Sequence, residues 1–102
     1  MKKNNLKIEL NKGDGNGQAN TISLEGELTL HNIETIWDRL REEVLKNNKL
    51  IIELRNVENM DLSCLQLLSS IQRFNSNVKI KMNLSDQLET LLLRGGFSAL
   101  LN

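Results

Sequence analysis

The five residues from Leu50 to Leu54, Leu-Ile-Ile-Glu-Leu, are the feature that most restricts how this chain can fold. A run that is apolar at nearly every position, rather than at every second one, is typical of a strand covered on both faces. Such a strand lies inside a sheet and runs parallel to a neighbour, and parallel neighbours need a crossover connection, usually a helix. The sequence therefore predicts an α/β fold organised around this strand.

The segments on either side of it supply the other strands and the helices. Leu6 to Leu10 and Thr21 to Glu25 alternate apolar and polar residues around a cluster of Gly, Asp and Asn, as in an antiparallel hairpin. Val78 to Met82 also alternates, which indicates a strand near an edge or with one solvated face. Apolar residues at helical spacing predict three helices, over Ile33 to about Lys46, over Leu62 to Phe74, and from Ser85 to Gly95.

The resulting element order is β-β-α-β-α-β-α. We predict a single domain over residues 1–102, with a mixed β-sheet and helices packed mainly on one side. Asn32 is expected to cap the first helix, and Trp37 is expected to lie in the core. A short terminal turn carrying Phe97, Leu100 and Leu101 is expected to pack onto the same core.

Composition argues against several classes of function. Thirteen basic and thirteen acidic residues give a formal net charge of zero, so no broad surface for nucleic acid or anionic lipid is predicted. No apolar run reaches the roughly 20 residues that span a bilayer, and the first residues do not resemble a signal peptide. With Cys64 and His31 as the sole cysteine and histidine, no metal site, cofactor or catalytic triad is predicted. We expect a cytoplasmic protein that is not an enzyme.

The junction between the apolar strand and the second helix carries the remaining chemistry. Asp61 can cap this helix, whose first backbone N–H groups have no partner inside the helix. Ser63 falls in the first turn, between the buried and exposed faces, where those N–H groups would tolerate a phosphate group. Leu62 lies on the otherwise polar side. The buried face is predicted to consist of Cys64, Leu65, Leu67, Leu68, Ile71 and Phe74.

Two interpretations of this junction follow from the residues alone. In the first, Asp61 is an ordinary cap, Ser63 an ordinary first-turn residue, and Leu62 folds under the preceding loop. In the second, Leu62 belongs to an apolar docking surface that a phosphate on Ser63 would abolish. Residue types and spacing leave both interpretations open.

Two segments resemble the STAS domain family, which includes the bacterial anti-sigma-factor antagonists. Ile22 to Leu28, Ile-Ser-Leu-Glu-Gly-Glu-Leu, followed by a capped helix, is similar to the opening of these domains. Asp61 to Leu65, Asp-Leu-Ser-Cys-Leu, is similar to their Asp-Ser/Thr-Ser/Thr-Gly-Leu motif. The resemblance covers about Ile22 to Leu101. This chain departs from the family pattern at three positions. Thr29 stands where the family often has Asp, Leu62 where it has Ser or Thr, and Cys64 where it has Gly.

The resemblance implies a binding module in which Ser63 is phosphorylated by a partner, a GHKL-type serine kinase that is also an anti-sigma factor. The unphosphorylated form would bind that kinase and free the sigma factor. Asp61 would present Ser63, and the loop from Thr29 to Asn32 would flank the docking surface. The predicted partner-binding residues are Asp61, Leu62, Ser63, Gln66, Thr29, His31 and Asn32.

Two alternative functions remain for a chain with this sequence. The first is a constitutive scaffold subunit of an ABC-transporter ATPase or of a chemotaxis-type signalling complex, with Leu62 in a permanent interface. The second is a small enzyme with Cys64 as nucleophile, which is disfavoured because Cys64 is predicted on the buried face. For the binding functions we expect a protein partner and a monomer or weak dimer.

Overall fold

The computed structural model describes residues 5–13, 18–46 and 49–96. The predicted terminal turn with Phe97, Leu100 and Leu101 lies outside the described residues. The order of elements confirms the predicted β-β-α-β-α-β-α arrangement, with a short 3₁₀ turn added before the first helix. The elements are β1 (Leu6–Asn11), β2 (Asn20–Leu28), the 3₁₀ turn (Leu30–Asn32), α1 (Ile33–Leu45), β3 (Leu50–Met60), α2 (Leu62–Phe74), β4 (Val78–Met82) and α3 (Asp86–Arg94).

Four strands form one mixed sheet in the order β1-β2-β3-β4. β1 and β2 form the predicted antiparallel hairpin, while β2, β3 and β4 run parallel, so β3 is central and β4 lies at an edge. The prediction that β3 is covered on both faces is wrong. Leu50, Ile52 and Leu54 are buried, but Ile51 and Glu53 on the other face are only half-buried. Neighbouring charged side chains, rather than a layer of helices, flank that second face.

The helices pack on the face of the sheet that carries the buried strand residues. Burial of a leucine or isoleucine side chain contributes about 1.5–3 kcal/mol, and this face provides most of the core. Trp37, which was predicted in the core, is only partly buried against it. In α3 the Ser85 hydroxyl accepts a hydrogen bond from Leu88 N at 3.3 Å, as expected for a cap. The helix residues of the core are Ile36, Leu40, Val44, Cys64, Leu65, Leu68, Ile71 and Leu92.

Asn32 does not cap α1 with its side chain, contrary to the sequence prediction. Its backbone is already close to helical, at φ −109° and ψ 0°, whereas a capping residue is usually extended. The side chain is 4% exposed, and its Nδ2 donates a hydrogen bond to the Glu27 carbonyl oxygen at 2.8 Å. Asn32 therefore stabilises the turn that leaves β2.

The pairing of β2 with β3 is irregular around Gly26. Leu24 pairs with Leu54 and Leu28 pairs with Met60, so β3 holds two more residues than β2 over this interval, as in β-bulges. Gly26 has φ +98°, and a Cβ at this position would overlap the carbonyl oxygen of Asn5. Only glycine fits this conformation and this close backbone approach. After the irregularity the two strands end side by side, at Leu28 and Met60.

A buried carboxylate joins the end of α1 to the start of β2. Glu43 is 7% exposed and accepts hydrogen bonds from Asn20 Nδ2 at 2.9 Å and from Lys46 Nζ at 3.0 Å. Asn20 Oδ1 in turn accepts a hydrogen bond from Gly13 N at 2.9 Å. The hydrogen bond from Asn20, followed by that from Lys46, holds the pKa of Glu43 below its ordinary value.

The lowered pKa of Glu43 predicts a specific loss of stability in acid. A carboxylate with a lower pKa in the folded state stabilises it above the unfolded pKa of about 4.3, and this contribution is lost as pH falls through the folded pKa. We expect the free energy of unfolding of Glu43→Gln to fall less between pH 6 and pH 3 than that of the wild type. Urea unfolding at both pH values measures this. Glu42→Gln, an exposed position on the same helix, is the matched control, and equal pH dependence of Glu43→Gln and wild type would contradict the prediction.

Candidate functional site

The carboxyl ends of β2 and β3 meet at one edge of the sheet. β2 leads into Thr29 and the 3₁₀ turn, and β3 leads into Asp61 and α2. Asp61 N donates a hydrogen bond to the Leu28 carbonyl oxygen at 3.2 Å, which extends the contact between the strands up to the start of the helix. Parallel pairing thus brings together two segments that are distant in the sequence, such as Leu30 and Asp61, which are 31 residues apart.

Asp61 joins these two segments through both of its carboxylate oxygens. Oδ1 accepts hydrogen bonds from Ser63 Oγ at 2.6 Å and from Cys64 N at 3.4 Å, and Oδ2 accepts one from Leu30 N at 2.6 Å. The Asp61 backbone is extended, at φ −115° and ψ 174°, as in most N-cap residues. The prediction that Asp61 caps α2 is confirmed. Its hydrogen bond to the Leu30 backbone was not predicted.

Asp61 is a stable anion at neutral pH. Burial alone would raise its pKa, but hydrogen bonds from Ser63 Oγ and from the N–H groups of Leu30, Cys64 and Ser63 outweigh this effect and lower the pKa. The charge lies at the positive end of the α2 dipole, which is favourable. A further negative charge on Ser63 would face this carboxylate directly.

Two leucines expose most of their side chains beside this hydrogen-bonded group. Leu62 is 56% exposed and Leu30 is 64% exposed. Exposed apolar groups that cluster beside polar ones often mark contact surfaces. We call Leu30, Asp61, Leu62 and Ser63 the junction surface.

Leu30 was absent from the predicted site. Leu28 and Leu30 are two residues apart, so both would face the core if β2 continued. The strand ends at Leu28, however, and the 3₁₀ turn carries Leu30 to the surface. The signal in the sequence was a leucine placed just beyond the strand end, two residues before the predicted helix cap Asn32.

The other predicted partner-binding residues differ in exposure. His31 and Gln66 are exposed, and Gln66 follows Leu62 by one helical turn. Thr29 is half-buried, and its carbonyl oxygen accepts a hydrogen bond from Asn32 N at 2.9 Å. The Asn32 side chain is buried, so it supports the turn from inside and does not form part of the surface.

The buried face of α2 differs from the prediction at its carboxyl end. Cys64, Leu65, Leu68 and Ile71 are buried as expected and Leu67 is half-buried, but Phe74 is 67% exposed. Phe74 is the last residue of α2 and lies at the margin of its apolar stripe. The space between α1 and α2 stays open beside it as a groove, so none of the residues that the structure describes covers the ring.

Cys64 does not have the properties of a nucleophile. Its side chain is fully buried, and this burial, together with the nearby charge of Asp61, raises the pKa of the thiol to about 12. The thiol is therefore protonated at neutral pH, whereas the thiolate is the reactive form. Within residues 5–13, 18–46 and 49–96, no three His, Cys, Asp or Glu side chains are grouped so that they could hold a metal ion. Among the helices of the described residues, none is long and apolar enough to span a membrane.

Comparison with known proteins agrees with this architecture. The family model described as Mlab, STAS domain matches residues 12–101, so the chain belongs to the STAS domain family. The solved structure of the Bacillus cell fate determinant SpoIIAA in its phosphorylated form is similar, with a TM-score of 0.63 and 19% sequence identity. The match covers 94% of this chain and 89% of that one, and it shows that the two chains share a fold. No curated protein sequence matches the chain.

Proposed function

We propose that this chain is a non-catalytic docking module whose contact with a partner protein is controlled by phosphorylation of Ser63. The observation that carries the proposal is the link through Asp61, which accepts hydrogen bonds from Ser63 Oγ and Leu30 N, each at 2.6 Å. Following the family resemblance, the partner is a GHKL-type serine kinase that also acts as an anti-sigma factor. The cycle takes place in the cytoplasm.

In the unphosphorylated state the link holds the junction surface in one arrangement. Asp61 fixes the Ser63 side chain and the Leu30 backbone at once, so Leu30 and Leu62 are presented together. Immobilising a flexible side chain on binding costs about 0.5–1.5 kcal/mol, and an arrangement fixed in advance avoids part of this cost. The unphosphorylated form is therefore the one that docks.

Phosphorylation would replace the hydroxyl that donates to Asp61 with a group of about −1.5 to −2 charges. Two unit charges 4 Å apart repel by about 1 kcal/mol in water and by about 4 kcal/mol at an effective dielectric constant of 20. The α2 dipole favours an anion by only about 0.3–1 kcal/mol. We expect repulsion to separate Asp61 from phosphoserine and to release the Leu30 turn. The hydrated phosphate would also oppose burial of Leu62.

The test combines the full chain with ATP and a GHKL-type serine kinase from the same genome. Mass spectrometry should find phosphate on Ser63, and Ser63→Ala should remain unmodified. Binding to the kinase should weaken roughly tenfold or more, about 1.4 kcal/mol, in Ser63→Asp. Ser76→Asp, an exposed serine beyond the far end of α2, is the matched control and should bind normally. Phosphate found only elsewhere, with unchanged binding of Ser63→Asp, would refute the proposal.

A permanent scaffold role is the second candidate, and the exposed pair Leu30 and Leu62 favours it. A permanent interface, with an ABC-transporter ATPase or within a chemotaxis-type complex, would bury this pair, and Ser63 would be only a contact. Co-purification with the partner should then survive Ser63→Ala and be lost in Leu62→Asp. Absence of kinase-dependent modification, together with this binding pattern, would favour the scaffold over the switch.

A further inference from the structure

An apolar groove of about 200 Å³ opens between α1 and α2. At the carboxyl ends of these helices, Phe74 and Leu45 are 67% and 60% exposed. A larger cleft of about 240 Å³ lies at the opposite edge of the sheet from the junction surface, and it is bordered by Lys49 and Lys79 rather than by aromatic residues. The groove is lined by Trp37, Val44, Leu67, Ser70, Ile71 and Phe74, and we call it the α1–α2 groove.

We propose that the α1–α2 groove binds an amphipathic helix of a partner protein that carries acidic residues beside its apolar stripe. Leu67, Ser70 and Phe74 are spaced three and four residues apart, so they form one ridge on α2. Trp37 and Val44 line the groove from α1 and lie two turns apart. Two ridges with an apolar trough between them can accept the ridge of a third helix, a common mode of peptide recognition.

The exposed charges beside the α1–α2 groove indicate which kind of partner helix it binds. Arg41 lies between Trp37 and Leu45 on the same side of α1, and Arg73 precedes Phe74 in α2. Both arginines are exposed, and neither has an ion-pair or hydrogen-bond partner within the described part of the chain. Of the acidic side chains of α1, Glu34 and Asp38 lie closer to its start, and Glu43 is paired with Lys46. The exposed Glu42 lies about 140° around the helix from Trp37, whereas Arg41 lies about 40° from it. The carboxyl-terminal half of the groove therefore matches carboxylates on the partner.

The groove is distinct from the junction surface but continuous with it. Ser63 precedes Leu67 by one helical turn on the same side of α2, so the groove runs from the junction surface towards Phe74. The inference rests on the proposed function only in that the chain is a docking module, and it does not depend on phosphorylation of Ser63. One partner that contacts both surfaces would gain affinity from the second contact.

Trp37 offers a direct measurement of occupancy. It is the single tryptophan in a chain without tyrosine, so intrinsic fluorescence reports on a residue that lines the groove. The probe is a displayed library of helical peptides of about five turns, with leucines fixed at positions i, i+3, i+4 and i+7 and all other positions drawn from Glu, Lys, Ser and Ala. Selection on the full chain should enrich Glu over Lys beside the leucines. The selected peptide should shift Trp37 emission to shorter wavelength in a saturable titration.

Matched variants test whether the selected peptide binds in the α1–α2 groove or on the junction surface. Arg73→Glu combined with Phe74→Ser changes two exposed positions and should weaken the selected peptide roughly tenfold or more. Leu62→Asp, on the junction surface, should leave the peptide affinity within about twofold. No enrichment, enrichment of Lys, or loss of binding only in Leu62→Asp would overturn the inference. Peptide binding that persists while Ser63 is never phosphorylated would support the groove and contradict the phospho-switch.

A second copy of this chain is the competing occupant. Analytical ultracentrifugation of the chain without peptide should show no dimer that depends on Phe74. A dimer that disappears in the Arg73→Glu, Phe74→Ser variant would assign the groove to self-association and overturn the inference.

Discussion

Gly26→Ala is expected to lower the free energy of unfolding by about 2–5 kcal/mol. Gly26 has φ +98°, and a left-handed backbone costs a residue with a Cβ about 1–2 kcal/mol. The added Cβ would also overlap the Asn5 carbonyl oxygen, which accepts a hydrogen bond from Glu27 N at 2.6 Å. Displacing packed backbone costs a further 1–3 kcal/mol or so. Urea unfolding of the purified variant measures the sum.

Gly96→Ala separates the two contributions. Gly96 also has positive φ, at +81°, but a Cβ there would meet nothing within 4 Å. This variant should therefore show the backbone cost alone, about 1–2 kcal/mol. If Gly26→Ala lowers the free energy of unfolding no more than Gly96→Ala does, overlap with the Asn5 carbonyl oxygen does not contribute to the loss of stability.

Asp61→Ala is expected to lower the free energy of unfolding by about 2–5 kcal/mol and to release the Leu30 turn. Loss of an N-cap costs about 0.5–2 kcal/mol, and a hydrogen bond to a charged group contributes about 1.5–3 kcal/mol. Hydrogen exchange of the Leu30 amide should become faster, since its acceptor is Asp61 Oδ2. Urea unfolding and amide exchange followed by NMR measure the two effects.

Asp61→Asn is the conservative control. Asparagine caps helices about as well as aspartate, so the capping contribution should be retained. Its amide nitrogen cannot accept the hydrogen bond from Leu30 N, so the loss should be about 1.5–3 kcal/mol. The pKa of Asp61 is lower in the folded protein than in the unfolded chain. The ionised Asp61 therefore stabilises the fold above the unfolded pKa of about 3.9, and this stabilisation is lost as pH falls through the folded pKa. The difference between wild type and Asp61→Ala should therefore shrink in acid. A difference that grows in acid would contradict this account.

Local sequence patterns were sufficient to predict the element order and the central place of β3. The apolar run from Leu50 to Leu54 is a property of one segment, and so is the periodicity of each helix. The exposure of Phe74 depends instead on where α1 ends relative to α2, and no pattern within α2 reports that. The partial exposure of Ile51 likewise depends on which sheet face the helices cover. The bulges opposite Gly26 depend on the fit of two strands, so neither strand alone predicts them.

The sequence predicted only those features of the candidate site that depend on one segment, and it missed those that depend on the pairing of distant segments. The capping role of Asp61 and the outward position of Leu62 follow from the start of one helix, and both agree with the structure. The participation of Leu30 follows from parallel pairing of β2 with β3, which brings a distant turn to Asp61. The family resemblance placed Asn32 in the loop that flanks the docking surface, whereas its hydrogen bond to the Glu27 carbonyl oxygen draws the side chain inward.

The contact between Leu30 and Asp61 involves the backbone of Leu30 and leaves its side chain uninvolved. Leu30 reaches Asp61 through its backbone N–H, a donor that every residue except proline possesses. The side chain at this position, 64% exposed, has no part in that hydrogen bond. Under the proposed function, exchanging the residue at position 30 should alter which partner is preferred while the hydrogen bond to Asp61 is retained. We therefore expect that modules with the same Asp61–Ser63 link but different partners can be built by changing that single side chain.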